Sequence, residues 1–76
     1  MNLSPRECEV LGLIASGLTL YQIARKLGIS YGTAQDYRNR AFEKLGATSS
    51  AHAVALAFLA GIELSILSLF APQKNG

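Results

Sequence analysis

Apolar residues recur along this chain at helical spacing in four blocks, each bounded by polar capping residues or by glycine. The first block opens on Ser4-Pro5-Arg6-Glu7, a capping box. In such a box the serine oxygen accepts the amide of the third helical residue, and a glutamate there reaches back to the cap's own amide. Proline suits the first helical position because it has no amide to leave unpaired. Val10, Leu11 and Ile14 follow, and Gly17 is placed to end the helix in a left-handed conformation. Thr19-Leu20-Tyr21-Gln22 is a second capping box, ahead of a short helix that buries Leu20, Ile23, Ala24 and Leu27 and stops at Gly28. Ser30 caps a third helix to about Leu45, with Gly46 as its stop. Its apolar members Ala34, Tyr37, Ala41 and Leu45 share one face. The opposite face shows Gly32, Asp36, Asn39 and Glu43, flanked by Gln35 and Arg40. Ser49 or Ser50 caps a fourth helix, Ala51 to Ala60, which Gly61 closes. No strand alternation, repeat or low-complexity linker interrupts this pattern, so the predicted fold class is all-α.

Two helices joined by Gly28-Ile29-Ser30 have the spacing of a helix-turn-helix, whose second helix would lie in a DNA major groove. The same spacing also occurs in helical pairs that never touch DNA, so charge matters next. The net charge of +2 is small, but it is unevenly placed. Met1 to Thr19 carries −1, Leu20 to Lys44 carries +3 from five basic and two acidic residues, and Glu63 and Lys74 cancel beyond. A positive middle third fits a nucleic-acid footprint, and it equally fits an ordinary solvated helix surface.

Composition narrows the classes further. At 76 residues the chain holds one small domain, and its 50% hydrophobic content excludes a disordered tail. A domain this small is marginal alone, and oligomerisation is one remedy. Cys8 is the only cysteine, so no internal disulfide can form and a reducing, cytoplasmic compartment is expected. The opening MNLSPRECE lacks the basic start and apolar run of a signal peptide. Cys8 has no histidine near it in sequence and reads as a small half-buried residue; His52 has no partner set for a metal. No glycine-rich phosphate loop is present. The expectation is no enzyme, no cofactor and no metal.

The segment AHAVALAFLAGIELSILSLF is apolar almost throughout. The fourth helix can bury Ala53, Val54, Ala57 and Phe58 inside, which leaves Ala55, Leu56 and Leu59 for a second cover. A symmetric partner would supply it, so these three are the expected dimer interface. Ile62, Leu64, Ile66, Leu67, Leu69 and Phe70 would enlarge that interface or form a fifth helix. A membrane helix is the rival for these 20 residues, but His52, Gly61 and Glu63 interrupt it, and no membrane association is expected. The chain divides into a helical domain, 1–64, and an apolar then polar tail, 65–76.

The run SPRECEVLGLIASGLTLYQIARKLGIS resembles the LuxR-type helix-turn-helix, the DNA-binding domain of many bacterial regulators. Arg6, Glu7, Glu9, Val10 and Leu11 match its first-helix signature, and Gly17, Ile23, Ala24, Leu27, Ile29, Ser30, Thr33, Lys44, Leu45, Ala53, Val54 and Gly61 match beyond it. The likeness covers Leu3 to roughly Leu64. It implies a four-helix domain on double-stranded DNA, usually a dimer through the fourth helix; some members are little more than this domain, like the small sporulation regulators. Departures occur where the family usually has Val then Lys (here Ala34 and Gln35), His (Tyr37), a larger aliphatic (Ala41) and often Arg (Ser50).

By that resemblance Gln35, Asp36 and Asn39 occupy base-facing positions, and Thr33 matches a backbone contact. Ser30 and Thr33 sit where free amides favour phosphate, and Arg40 is the expected phosphate contact. Arg38 and Lys44 have structural alternatives: Arg38 covering apolar surface, Lys44 pairing with Glu7 or Glu9. Asp36 accepts from cytosine, or pairs with Arg40 four residues on, or stands on a helix that no longer reads DNA. The expected function is a sequence-specific, dimeric transcriptional regulator with its third helix in the major groove. The alternative is an interaction module that pairs through its fourth helix with a larger LuxR-type regulator and inhibits it. A sigma-factor region is a third possibility, which the Arg6-to-Leu11 run matches less well.

Overall fold

The computed structural model describes residues 3–59, and over them the chain forms four α-helices: α1 Pro5–Ala15, α2 Leu20–Leu27, α3 Tyr31–Leu45 and α4 Ser50–Leu59. The expected all-α architecture is present, and no strand occurs among the described residues. The expectations about Gly61, the apolar tail and the division at residue 64 lie outside the described residues.

Local chemistry sets the helix ends. Ser4 Oγ accepts the Glu7 amide at 3.1 Å, and Glu7 Oε1 accepts the Ser4 amide at 2.9 Å. Thr19 and Gln22 repeat the exchange at 3.2 and 2.8 Å. Each such cap is worth on the order of 1 kcal/mol. Gly28 closes α2 with φ +68°, and the two amides of Gly28 and Ile29 donate back to Arg25 and Ala24. Gly46 does the same for α3 at φ +71°, with Gly46 and Ala47 donating to Glu43 and Phe42. A side chain at either glycine would meet the left-handed steric penalty even though the space is open. At α4, Ser49 is the cap: its Oγ accepts the His52 amide at 3.1 Å. His52 Nδ1 in turn accepts the Thr48 amide at 3.2 Å.

Helices α1 and α3 pack on each other and form the middle of the domain; α2 and α4 each pack on both. Two apolar clusters result. Val10, Leu13, Ile23, Ala24 and Ala34 fill the α2 side, with Ile14, Leu18, Leu20, Leu27, Ile29 and Tyr37 around them. Leu11, Leu45, Ala53 and Ala57 fill the α4 side, with Leu3, Ala15, Phe42, Ala47, Val54 and Leu56 around them. Adjacent residues of α1 therefore serve opposite sides of the core. Leu13 is fully buried although the spacing argument did not select it.

Two expectations about α4 are corrected here. Phe58 is 62% exposed rather than in the core. Leu56 is half-buried against the Leu11 cluster, on one flank of the Ala53–Ala57 stripe, while Val54 takes the other flank. The physical reason is approach distance: alanines at 53 and 57 let α4 lie close to its neighbours, and that choice of centre turns Phe58 outward.

Candidate nucleic-acid interface

Helix α3 is mounted on its small residues. Ala34, Ala41 and Leu45 are buried, so the face across the helix is held outward by packing. That face carries Gly32, Asp36, Asn39, Arg40 and Glu43, all exposed, with Thr33 exposed beside them. Gln35 stands apart from the other expected base-facing residues because it is half-buried on the flank.

At the helix start, Ser30 Oγ accepts the Thr33 amide at 3.0 Å and donates its own proton to Thr33 Oγ1 at 2.9 Å. Ser30 is thus both cap and orienting group. Thr33 accepts from Ser30, and its own O–H remains to be given outward. Such a donor, at the positive end of a helix dipole, suits an anion.

The cations of α3 divide by role. Lys44 Nζ binds Glu7 Oε1 at 2.8 Å and ties the end of α3 to the start of α1. The Glu7 side chain is 4% exposed and that of Lys44 41%. Burial pushes the Glu7 carboxyl up in pKa, but the Lys44 ammonium, the Ser4 amide and the Ser4 hydroxyl outweigh it and hold the carboxyl below its ordinary value. Of the two partners considered for Lys44, Glu7 is the one used; Glu9 pairs with Arg6 at 3.0 Å. Arg38 is half-buried, with its guanidinium 5.8 Å from the centroid of the Phe42 ring, and it donates to Asn39 Oδ1. Arg40 is exposed and lies 5.9 Å from the Tyr37 ring centroid.

The Asp36–Arg40 pair considered from sequence does not form. Among the described residues, Asp36 takes part in no ion pair and no side-chain hydrogen bond, and the Arg40 guanidinium lies near the Tyr37 ring, three residues earlier. Asp36 is exposed. On the neighbouring helix Arg25 and Lys26 are exposed.

Sequence reasoning missed one feature of this surface. Tyr21, 69% exposed in the first turn of α2, stacks on Tyr31 at the start of α3, with centroids 4.4 Å apart and an interplanar angle of 28°. The only available signal was an aromatic in the first turn of each of two consecutive capped helices.

The opposite side of the domain differs in kind. Ala51, Ala55, Phe58 and Leu59 are exposed on α4, Leu59 to 84%. An open cleft of about 460 Å³ runs between α1 and α4, lined by Ile14, Ala15, Ser50, Ala51, Val54 and Ala55. Of the expected interface residues, Ala55 and Leu59 face outward and Leu56 does so only in part. Cys8 is half-buried, and burial together with the Glu7 charge raises its thiol pKa, which keeps it protonated. Among the described residues no helix is long and apolar enough to cross a membrane, and no cluster of metal-ligating side chains occurs.

Comparison with known proteins places this architecture. The signature of "Bacterial regulatory proteins, luxR family" matches residues 1–57. The chain is 42% identical over 60 residues to the transcriptional regulatory protein MctR of Rhizobium johnstonii, covering 79% of this chain and 28% of MctR. It is 46% identical over 55 residues to the transcriptional activator protein CarR of Pectobacterium carotovorum, covering 72% of this chain and 22% of CarR. The transcriptional activator protein BjaR1 of Bradyrhizobium diazoefficiens is 42% identical over 56 residues, covering 74% of this chain and 23% of BjaR1. The chain thus spans about a quarter of the length of the curated relatives it matches.

Proposed function

This chain belongs to the luxR family of bacterial regulatory proteins, and from that premise we propose that it is a sequence-specific DNA-binding transcriptional regulator. Helix α3 enters the major groove. Thr33 and Arg40 contact the phosphate backbone, and Asp36 and Asn39 face base edges, with Gln35 at the margin. Ser30 orients Thr33. The observation that carries this reading is the outward face of α3, where unpaired Asp36, exposed Arg40 and the free Thr33 proton stand opposite a buried alanine seam.

The regulator acts as a homodimer through α4. Ala55, Phe58 and Leu59 form the centre of the contact, with Leu56 at its edge. A two-fold axis there would place two copies of α3 on two half-sites of one operator. Selection from a random duplex library, followed by titration of the winning sequence at several salt concentrations, tests both claims. A palindromic motif with a steep salt slope is expected. Absence of any enriched motif would sink the DNA-binding reading.

A second reading has its own support. Phe58, Leu59 and the α1–α4 cleft form an apolar surface that a related regulator could occupy instead of an identical copy. The chain would then inhibit that partner by pairing with it. Stable heteromer formation with a luxR-family regulator, together with failed DNA selection, is the outcome that favours it.

A further inference from the structure

We propose that Arg38 is a positioning residue that holds the Asn39 oxygen toward itself and turns the Asn39 amino group to the base, so that Asn39 selects guanine and not adenine. The proposal rests on the DNA-binding reading above. Arg38 Nε–H and Nη2–H both donate to Asn39 Oδ1, at 3.1 and 3.0 Å. A guanidinium has donors and no acceptor, so only the oxygen end of the amide can turn toward it. Both N–H groups converge on one side of that oxygen and hold it turned toward the guanidinium. Arg38 is itself held, since its side chain is half-buried and its guanidinium lies over Phe42 one turn later. Asn39 is exposed on the same outward face as Asp36, and what it has left to offer is its Nδ2 amino group.

This reverses the preference an unrestrained asparagine would have. A free amide fits adenine, accepting from N6 and donating to N7. With Oδ1 held toward Arg38, the acceptor half of that pair is turned away from the base, and the adenine amino group would face another amino group. Guanine presents N7 and O6, both acceptors, and suits a lone NH2 group best. Thymine offers one acceptor, O4, and cytosine offers only a donor. The expected order is guanine first, thymine and adenine behind it, and cytosine last. Arg38, basic and close to the recognition face, thereby acts through Asn39.

Library selection with the full chain and with Asn39→Ala identifies the base pair that depends on Asn39, because preference flattens there alone. In the wild type that position should carry guanine over adenine by about fivefold or more, the low end for a well-placed base contact. Arg38→Met keeps an apolar stem over Phe42 and removes the donors; it should move the preference at that one position to adenine and leave the others unchanged. Asn39→Asp, on an exposed site, keeps the fold without touching Phe42 and should move the same position to cytosine. Adenine in the wild type, or a guanine preference unmoved in a folded Arg38→Met, overturns the proposal while the DNA-binding reading stands. No enriched sequence from a folded wild-type chain overturns both.

Discussion

Helices α2 and α4 flank the same α1–α3 pair and, among the described residues, do not touch each other. They are finished differently. Helix α2 is strongly one-sided: Ile23 and Ala24 are buried, and Tyr21, Gln22, Arg25 and Lys26 meet solvent. Helix α4 buries only alanines at 53 and 57, and it shows Ala51, Ala55, Phe58 and Leu59 on the outside. One side of the domain is therefore complete in itself, with a polar and basic outer surface. The other keeps apolar surface outside that its own core does not need. The proposed DNA contact and the proposed pairing through α4 would use these two surfaces separately.

The largest predicted effect separates the two helices by stability. Ile23 is fully buried in the α2 cluster, so Ile23→Ala should cost about 2–5 kcal/mol in urea unfolding. The exposed Phe58 and Leu59 lie outside the core, so their joint change to Glu should leave monomer stability within about 0.5 kcal/mol. The same double variant should sediment as a monomer, because like charges would be brought together across the two-fold axis. A variant that remains dimeric would move the interface away from this face of α4.

The middle of the molecule gives the next effect, and it is pH-dependent. Glu7 joins the first cap to the end of α3 through Lys44. Removing its charge with Glu7→Gln should cost on the order of 1–2 kcal/mol at neutral pH, less than for a fully buried pair because Lys44 is partly solvated. The folded-state pKa of Glu7 is lowered, so its stabilisation is fully present above the ordinary carboxylate value and is lost as pH falls through the folded value. Wild-type stability should therefore drop on acidification below about pH 4.5, and Glu7→Gln should show a shallower drop. Parallel curves for the two proteins would contradict the assignment.

What was legible in the sequence followed interaction range. Both capping boxes and the glycine stops at 28 and 46 were readable, because each depends on residues within one turn. The buried seam Ala34–Ala41–Leu45 was readable because the other face of α3 is polar. Helix α4 defeated the same method. It is apolar nearly all round, so periodicity could not say which side faces in, and Phe58 was placed inside and Leu56 fully outside. The ion pair between residues 7 and 44 was readable only as one of two options, since charge complementarity does not choose between Glu7 and Glu9. The Tyr21–Tyr31 stack and the turn of Arg40 toward Tyr37 depend on rotamers and helix crossing, which no spacing encodes.

On the recognition side, Arg40→Ala should weaken binding to all duplexes alike and reduce the salt slope by about one unit. This follows from its exposure and from the absence of any carboxylate partner among the described residues. An unchanged slope would remove Arg40 from the backbone contacts.

The smallest predicted effect on stability concerns Asp36, whose effects on binding have two opposite signs. Its carboxylate is exposed and unpaired among the described residues, so it contributes little to the fold, and Asp36→Ala should change stability by less than about 0.5 kcal/mol. In a major groove the same carboxylate repels every phosphate near it and can accept a hydrogen bond from a base amino group, as on cytosine. Asp36→Ala should therefore raise affinity for random DNA slightly. It should also lower discrimination at one base pair of the selected site by about 1–3 kcal/mol. Among the described residues Asp36 and Arg40 form no ion pair, so the account in which Asp36 merely orients Arg40 has no contact behind it. Titration of the selected site, its single-base variants and random duplex with both proteins separates the two terms. A gain of the same size on every duplex would mean that Asp36 acts only as a repulsive charge and reads no base.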